Sequence, residues 1–299
     1  MTLAGSVAWA QQADAKKPVE DKTLTAKDGW PIRITYFKSS LGQEAPVAIL
    51  LHNKGGNRLV WHAKGGVAER LQGRGFAVIT VDLRKHGESK DPPGAAGSGA
   101  DASTAELVPY DYRAMAEFDL EAVKDFIFQE HQAKNLNMRK IGIVAPEFSA
   151  PIALHFAAED WLKPPYDDSF TPASRTPRGQ DVRAIVLISP EESVPGVSAN
   201  PPLMTLRNPA FEVALLTQYG TEDRQNRGRA AQKMHQKIAL PQNRDRTYLE
   251  SYKVPLRGTD LLGKGLPVEN HIIAFLDKHV RGLEGERDQW RDRQSDLRQ

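Results

Sequence analysis

The chain alternates between continuous apolar runs and segments whose apolar residues recur at helical spacing. The apolar runs are typical of strands buried on both faces of a parallel sheet. They are Pro46–His52, Phe76–Leu83, Ile141–Ala145, Val182–Ser189, Glu212–Gln218 and Thr247–Val254. Helical spacing occurs from Val60 to Leu71, from Met115 to Gln129 and from Glu269 to Val280. The alternation predicts successive βαβ units, and therefore an α/β fold with a mostly parallel central sheet and helices on both faces.

The N-terminal part of the pattern predicts an antiparallel edge. Short strands at Thr23–Thr25 and Ile32–Phe37 flank Asp28-Gly29, a strong hairpin signal. Lys90–Asp111 is rich in Gly, Ala, Pro and Ser and has no periodicity, so we expect a surface excursion there. No repeat or linker divides the chain, and residues 23–280 are predicted to form one domain.

The two ends of the chain differ from this domain. Residues 1–22 form a signal-like or disordered leader, in which Ala8-Trp9-Ala10 matches a secretory cleavage site although the positively charged start of a signal is missing. We therefore expect export to a periplasmic or extracellular location, with a disordered tail in a cytoplasmic protein as the alternative. Residues 281–299 are a charged C-terminal tail, predicted to be a solvated helix end or disordered and to have no function.

Composition removes several classes of function. The 299 residues include 40 basic and 38 acidic side chains, a net charge of +2, so no nucleic-acid partner is expected. The absence of cysteine excludes a disulfide scaffold and a thiolate metal site. No apolar stretch is long enough to suggest a membrane span. Five histidines show no metal-ligand spacing, so neither a metal nor a cofactor is predicted: His62, His131, His155, His235 and His279.

The central motif lies where the strand at Ile141 turns into a helix that continues to Leu154. Small residues, Ala145 and Ser149, stand two places on either side of the corner residue, Glu147. This arrangement resembles the nucleophile elbow of the α/β-hydrolases, whose pattern is Gly-x-Ser-x-Gly. The nucleophilic serine of that pattern falls on Glu147.

Three further stretches carry the same resemblance. They are His52-Asn53-Lys54-Gly55-Gly56, Val81–Ser89, which is similar to the family's Asp-x-Arg-Gly-His-Gly-x-Ser string, and Tyr219–Asp223. Together with the elbow they make residues 23–280 similar to the capless dienelactone-hydrolase and carboxylesterase type of α/β-hydrolase. The resemblance implies the α/β-hydrolase fold without a lid domain.

The resemblance also implies roles for individual residues. Asp223 stands at the place of the catalytic acid, and the amides of Asn53 and Phe148 at the places of the oxyanion donors. Arg257 occupies the place of the catalytic histidine, and a guanidinium cannot act as a general base. We expect His271 to be a structural histidine of the last helix, and His52 and His86 to brace the loops around the site. Lys54 and His52 are the candidate ligand-binding residues.

Several readings of this site follow from the residues. Glu147 could be a carboxylate nucleophile, or Ser149 could act instead, but both lack a base. Our hypothesis is an ion-pair network of Glu147, Arg257 and Asp223, with Lys54 of the facing turn as a candidate fourth member. The predicted function is a pseudoenzyme with a degenerate catalytic triad that binds a small-molecule ligand or a partner. The alternatives are a hydrolase of carboxylic esters or related small substrates, with an atypical site around Glu147 and Asp223, and a purely structural role.

Overall fold

The computed structural model describes residues 18–90 and 106–298. In the described part the strands are β1 (Val19–Thr25), β2 (Pro31–Phe37), β3 (Val47–Leu50), β4 (Ala77–Val81), β5 (Ile141–Pro146), β6 (Val182–Ile188), β7 (Ser193–Val194), β8 (Val197–Ser198), β9 (Ala214–Gly220) and β10 (Thr247–Tyr252). Eight of them form one sheet in the order β1-β2-β4-β3-β5-β6-β9-β10, and β7 pairs with β8 in a small hairpin. The β1–β2 and β2–β4 pairs are antiparallel and the other pairs of the large sheet are parallel. The predicted mostly parallel sheet with an antiparallel N-terminal edge is confirmed.

The helices cover both faces of the sheet. They are α1 (Val67–Gly73), α2 (Pro109–Ala114), α3 (Leu120–Gln132), α4 (Ser149–Leu162), α5 (Asn200–Leu206), α6 (Arg229–Ile238) and α7 (Val268–Leu276). One apolar core cluster joins α3, α4, α5 and α6 to the sheet, and a second joins α1 and α7 to the opposite face. Between β6 and β9 the described chain holds only the small hairpin, α5 and short turns, which leaves the carboxyl edge of the sheet without a lid domain.

Two predicted helices differ from the observed ones. The spacing from Val60 to Leu71 predicts one helix, but the chain makes a 3₁₀ turn at Arg58–Trp61 and begins α1 only at Val67. Gly65 adopts a φ of +68° between them, a conformation that ends a right-handed helix. The helix predicted from Met115 starts earlier, because α2 continues through a π-helical turn at Met115–Asp119 into α3.

The prediction of a solvated or disordered charged tail is wrong for the end of the chain. Residues 281–298 pack along the domain, and Asp288, Arg293 and Ser295 are buried. The guanidinium of Arg293 donates to Asp181 Oδ1 at 2.6 Å, and Asp288 forms an ion pair of 3.2 Å with Arg183. The apolar-poor composition of this segment is therefore compatible with order, because its charges are paired with buried charges of the body.

Two predictions concern residues outside the described ranges. Residues 1–17 of the signal-like leader lie outside the described ranges, but the predicted boundary at residue 22 is wrong, because β1 already begins at Val19. The predicted surface excursion from Lys90 to Asp111 lies mainly in residues 91–105, and its predicted end is too late, because α2 begins at Pro109. For residues 1–17 and 91–105 both stay predictions.

Candidate functional site

The corner between β5 and α4 has the backbone geometry of an elbow. Glu147 adopts a φ of +48°, a region that non-glycine residues enter only when the surrounding structure holds them there. Its N–H donates to the carbonyl of Ile188 on β6 at 2.9 Å. Its own carbonyl accepts from the N–H groups of Ala150 and Glu191. These bonds hold the backbone of Glu147 at the carboxyl edge of the sheet, between β5 and β6.

Arg257 lies at the centre of the site and contacts three carboxylates. Its Nε donates to Glu147 Oε2 at 3.2 Å and its Nη1 to Asp223 Oδ2 at 3.0 Å. Its Nη2 donates to Glu191 Oε1 at 3.3 Å. The side chains of Arg257 and Asp223 are nearly inaccessible, that of Glu147 is 14% exposed and that of Glu191 is 33% exposed. The predicted pairing of Arg257 with Glu147 and Asp223 is therefore present, and Glu191 is an additional member.

The charges of this cluster perturb one another. Burial raises the pKa of the Glu147 carboxyl, and the attraction of Arg257 offsets only part of that rise. Burial alone would lower the pKa of the Arg257 guanidinium, but the charge of Glu147 and the hydrogen bond to Asp223 reverse that effect and raise it. The arginine is therefore permanently charged and holds the carboxylates together, whereas Glu147 resists ionisation.

The loop after β10 is shaped to receive the Glu147 side chain. Gly258 has a φ of +52°, and a Cβ atom at this position would lie 1.9 Å from Glu147 Oε1. The hydroxyl of the next residue, Thr259, donates to Asn53 Oδ1 at 3.0 Å. The same loop thus packs against the elbow at Gly258 and is hydrogen-bonded to the turn after β3 at Thr259.

The two amides at the oxyanion positions have no partner within the described ranges. Neither the N–H of Asn53 nor that of Phe148 donates to a described main-chain or side-chain acceptor. The Phe148 ring stacks on the ring of His86 with centroids 5.3 Å apart, and His86 lies 4.7 Å from His52. The predicted oxyanion-side turn therefore stands next to the elbow.

No histidine reaches the elbow carboxylate. All eight histidines lie in the described ranges, and none forms an ion pair or hydrogen bond with Glu147 or Ser149. His52 accepts from the N–H of Leu83 through Nε2, and its Nδ1 lies 2.9 Å from the carbonyl of Asn53. Burial, together with the charge of His86, lowers the pKa of His52 to about 4, so this ring is neutral at physiological pH. His271 lies apart, with its Nδ1 2.9 Å from the hydroxyl of Tyr252.

The Oγ of Ser149 donates to the carbonyl of Pro146 at 2.7 Å inside the first turn of α4, so the hydroxyl is directed at the backbone. The suggestion that Lys54 closes the ion-pair network is wrong. Lys54 is exposed and forms no ion pair with any described residue. Its sequence position in the facing turn does not determine where a flexible side chain points.

Glu191 was missed by the sequence analysis, although a signal for it exists. It follows β6 directly, as the elbow follows β5, and the carboxyl ends of neighbouring parallel strands meet at the same edge of a sheet. Glu191 and Arg257 both line a cleft of about 570 Å³. A small molecule could therefore reach the cluster from this side.

Two further observations concern the described residues as a whole. None of their His, Asp and Glu side chains form a group that could hold a metal ion. No described helix has the length and apolar character that crossing a membrane requires.

Comparison with known sequences gives a local match. No family model matches the chain. A stretch of 85 residues is 35% identical to protein phosphatase methylesterase 1 of Homo sapiens and of Rattus norvegicus. This stretch makes up 28% of the present chain but only 20% of each methylesterase, so the match spans about a fifth of the length of these relatives.

Comparison with solved structures extends over nearly the whole chain. An esterase of Pyrococcus furiosus is 14% identical, with a TM-score of 0.59 over 88% of this chain and 92% of its own. A dienelactone hydrolase of Anabaena variabilis is 14% identical, with a TM-score of 0.55 over 88% of this chain and 99% of its own. An esterase from an Arctic intertidal metagenomic library is 16% identical, with a TM-score of 0.56 over 92% and 100%. The chain therefore has the α/β-hydrolase fold, as the sequence predicted.

Proposed function

We propose that this α/β-hydrolase-fold protein has lost serine-hydrolase turnover and retains the former active-site region as a binding site. The observation that carries the proposal is the position of Arg257, which donates to both Glu147 and Asp223. In a working triad a histidine lies between the nucleophile and the acid and accepts a proton. A guanidinium in that place keeps its proton and holds the two carboxylates in an ion-pair network.

The electrostatics support the same proposal. A nucleophilic carboxylate must be ionised, whereas burial raises the pKa of Glu147 and Arg257 occupies one of its oxygens. An acyl intermediate would also need a base to activate water, and no histidine forms a hydrogen bond or ion pair with Glu147 in the described part of the chain. Ser149 is committed to the backbone of Pro146. The cluster is thus better suited to hold a ligand or to stabilise the edge of the sheet than to turn over an ester.

The alternative is hydrolysis of carboxylic esters or related small substrates at an atypical site around Glu147 and Asp223. Two observations favour it. The elbow backbone keeps its strained φ at Glu147, and the amides of Asn53 and Phe148 remain free of described acceptors. Preorganised amides of this kind stabilise an oxyanion in acyl transfer.

The test is hydrolysis of a panel of short-chain chromogenic esters by the purified protein, measured beside Glu147→Ala. The proposal expects release of the chromophore at the same slow rate with both proteins, because surface nucleophiles contribute equally to each. Turnover in the wild type that Glu147→Ala abolishes would instead establish the hydrolase. A fold check by circular dichroism is needed for the variant, since the substitution removes one carboxylate from the cluster.

The location of the protein remains part of the proposal. The small-x-small string Ala8-Trp9-Ala10 supports export. Fractionation of producing cells, with N-terminal sequencing of the product, tests it: export predicts a mature chain beginning at Gln11. An intact Met1 in the cytosolic fraction would exclude export.

A further inference from the structure

A groove runs along α6 beside the cluster described above. Its first section is the cleft of about 570 Å³ lined by Arg257, Glu192 and residues of α6. A second section of about 130 Å³ continues past Ser198 to Lys237. Both sections share Glu192 and Ser193 in their walls, so they form one elongated depression, which we call the α6 groove.

The helix wall of the α6 groove is strongly basic. Residues 224–237 contain five Lys or Arg and no Asp or Glu, whereas the whole chain has 40 basic and 38 acidic residues. Three of the five, Arg229, Lys233 and Lys237, recur every fourth residue and line the groove. Four residues of an α-helix rise about 6 Å, so these cations form a row with a repeat of about 6 Å.

Most of this positive charge has no counter-charge. Lys233 pairs with Glu192 at 2.5 Å. Lys237 donates only to the amide oxygen of Asn200, and the Nε of Arg229 donates to the carbonyl of Asn226. Neither Arg229 nor Lys237 forms an ion pair with a residue in the described ranges. Uncompensated cations along a groove attract anionic groups, and their fixed spacing selects among them.

We propose that the α6 groove binds an extended acidic peptide segment of a partner protein. Alternate residues of an extended chain lie about 6.6–6.8 Å apart on one side, close to the repeat of the basic row, so alternate carboxylates can meet successive cations. The hydroxyls of Ser193 and Ser198, which also line the groove, can bond to other polar groups of the peptide. A groove also favours a narrow chain over a flat anionic membrane. The inference deepens the binding role proposed above, and it names the class of partner.

The test is fluorescence anisotropy of a labelled eight-residue peptide that alternates Glu and Ser, titrated with the full-length protein at low salt. We expect saturable binding that weakens as salt is added, because exposed ion pairs are screened. A peptide of the same composition with its four Glu residues in one block should bind at least about threefold more weakly, because only half of its carboxylates face α6 in an extended chain. A peptide alternating Gln and Ser should not bind.

Matched variants locate the interaction. The double variant Arg229→Gln, Lys237→Gln removes two cations of the groove and should weaken binding about tenfold, as loss of two exposed ion pairs implies. The control Arg224→Gln, Arg227→Gln removes the same charge from exposed positions that do not line the groove and should change the affinity less than about threefold. Equal losses for both pairs, equal affinity for the blocked peptide, or tighter binding to vesicles containing phosphatidylserine would overturn the proposal. Because ester turnover is measured separately, failure of this assay is distinguishable from failure of the proposed function.

Discussion

Arg257→Met is the perturbation that most directly tests the role of the ion-pair network in stability. Methionine keeps an unbranched apolar stem but removes the guanidinium that contacts Glu147, Asp223 and Glu191. At pH 7 the variant would leave three carboxylates facing one another without a cation. We expect the folded state to be strongly destabilised, because uncompensated buried charge is more costly than the loss of one contact.

The expected loss of unfolding free energy follows from the burial of the carboxylates that pair with Arg257. Breaking a buried ion pair costs about 3–5 kcal/mol, whereas an exposed pair contributes about 0–1 kcal/mol. Asp223 and Glu147 are 5% and 14% exposed and belong near the first class, and Glu191 at 33% belongs near the second. Because the cluster opens onto a cleft, the lower limit applies, a loss of about 3 kcal/mol. For a chain of this size, with an unfolding entropy of about 2.1 cal/mol/K per residue, that corresponds to a fall in Tm of roughly 5 °C.

The assay is thermal unfolding at several pH values with a matched arginine control. Arg175→Met breaks an ion pair of 2.6 Å with Asp167, whose side chain is 80% exposed, and should cost less than about 1 kcal/mol. The loss in Arg257→Met should shrink as the pH falls towards 4, since protonation of the carboxylates removes their repulsion. Adding Glu147→Gln to Arg257→Met should recover about 1 kcal/mol by removing one carboxylate. A loss no larger than that of Arg175→Met, or one independent of pH, would refute the reasoning.

Three further predictions concern single positions. Gly258→Ala should lower stability by about 1–3 kcal/mol more than Gly263→Ala in urea unfolding, since both have positive φ but only the Cβ at Gly258 would meet Glu147; equal losses would contradict this. Glu147→Gln should leave Tm unchanged near pH 4, raise it as the pH rises from the ordinary carboxyl pKa through the raised pKa of the folded state, and change it no further above that, because ionisation of Glu147 favours unfolding; a gain confined to acid pH would contradict it. Arg293→Met should cost about 3 kcal/mol in urea unfolding by removing a buried partner of Asp181, and a change within experimental error would show that the C-terminal segment does not stabilise the domain.

Much of the fold could be predicted because parallel sheets impose a simple pattern. Strands buried on both faces must be continuously apolar, so Val182–Ile188 and its neighbours were found within about two residues of their ends. The break between Arg58–Trp61 and α1 was missed although Gly65-Gly66 marks it. Helical periodicity continued across those glycines, and periodicity alone does not report a positive φ.

The C-terminal segment could not be predicted from local composition. Arg293 and its partner Asp181 lie 112 residues apart in sequence. The residue that orders this segment is therefore outside any local window of sequence. A charged segment is normally solvated, and only the pairing with buried carboxylates makes burial of these charges possible.

The candidate site was partly predictable because its residues lie at the carboxyl ends of neighbouring strands. Strand ends at one edge of the sheet converge, which brings Glu147 and Arg257 together across 110 residues. Glu191 obeys the same rule and could have been included. The direction of the Lys54 side chain does not follow from any such rule, because loop side chains are positioned by local contacts rather than by strand order.

The measurement that tests the central claim most directly is ester turnover by three proteins side by side: the wild type, Glu147→Ala, and the double variant Glu147→Ser, Arg257→His. The last replaces the corner glutamate and the central arginine with the two residues that acyl transfer requires, while Asp223 and the amides of Asn53 and Phe148 stay in place. The account predicts equal background rates for the first two proteins and new turnover in the double variant. Turnover in the wild type that is lost in Glu147→Ala would contradict it.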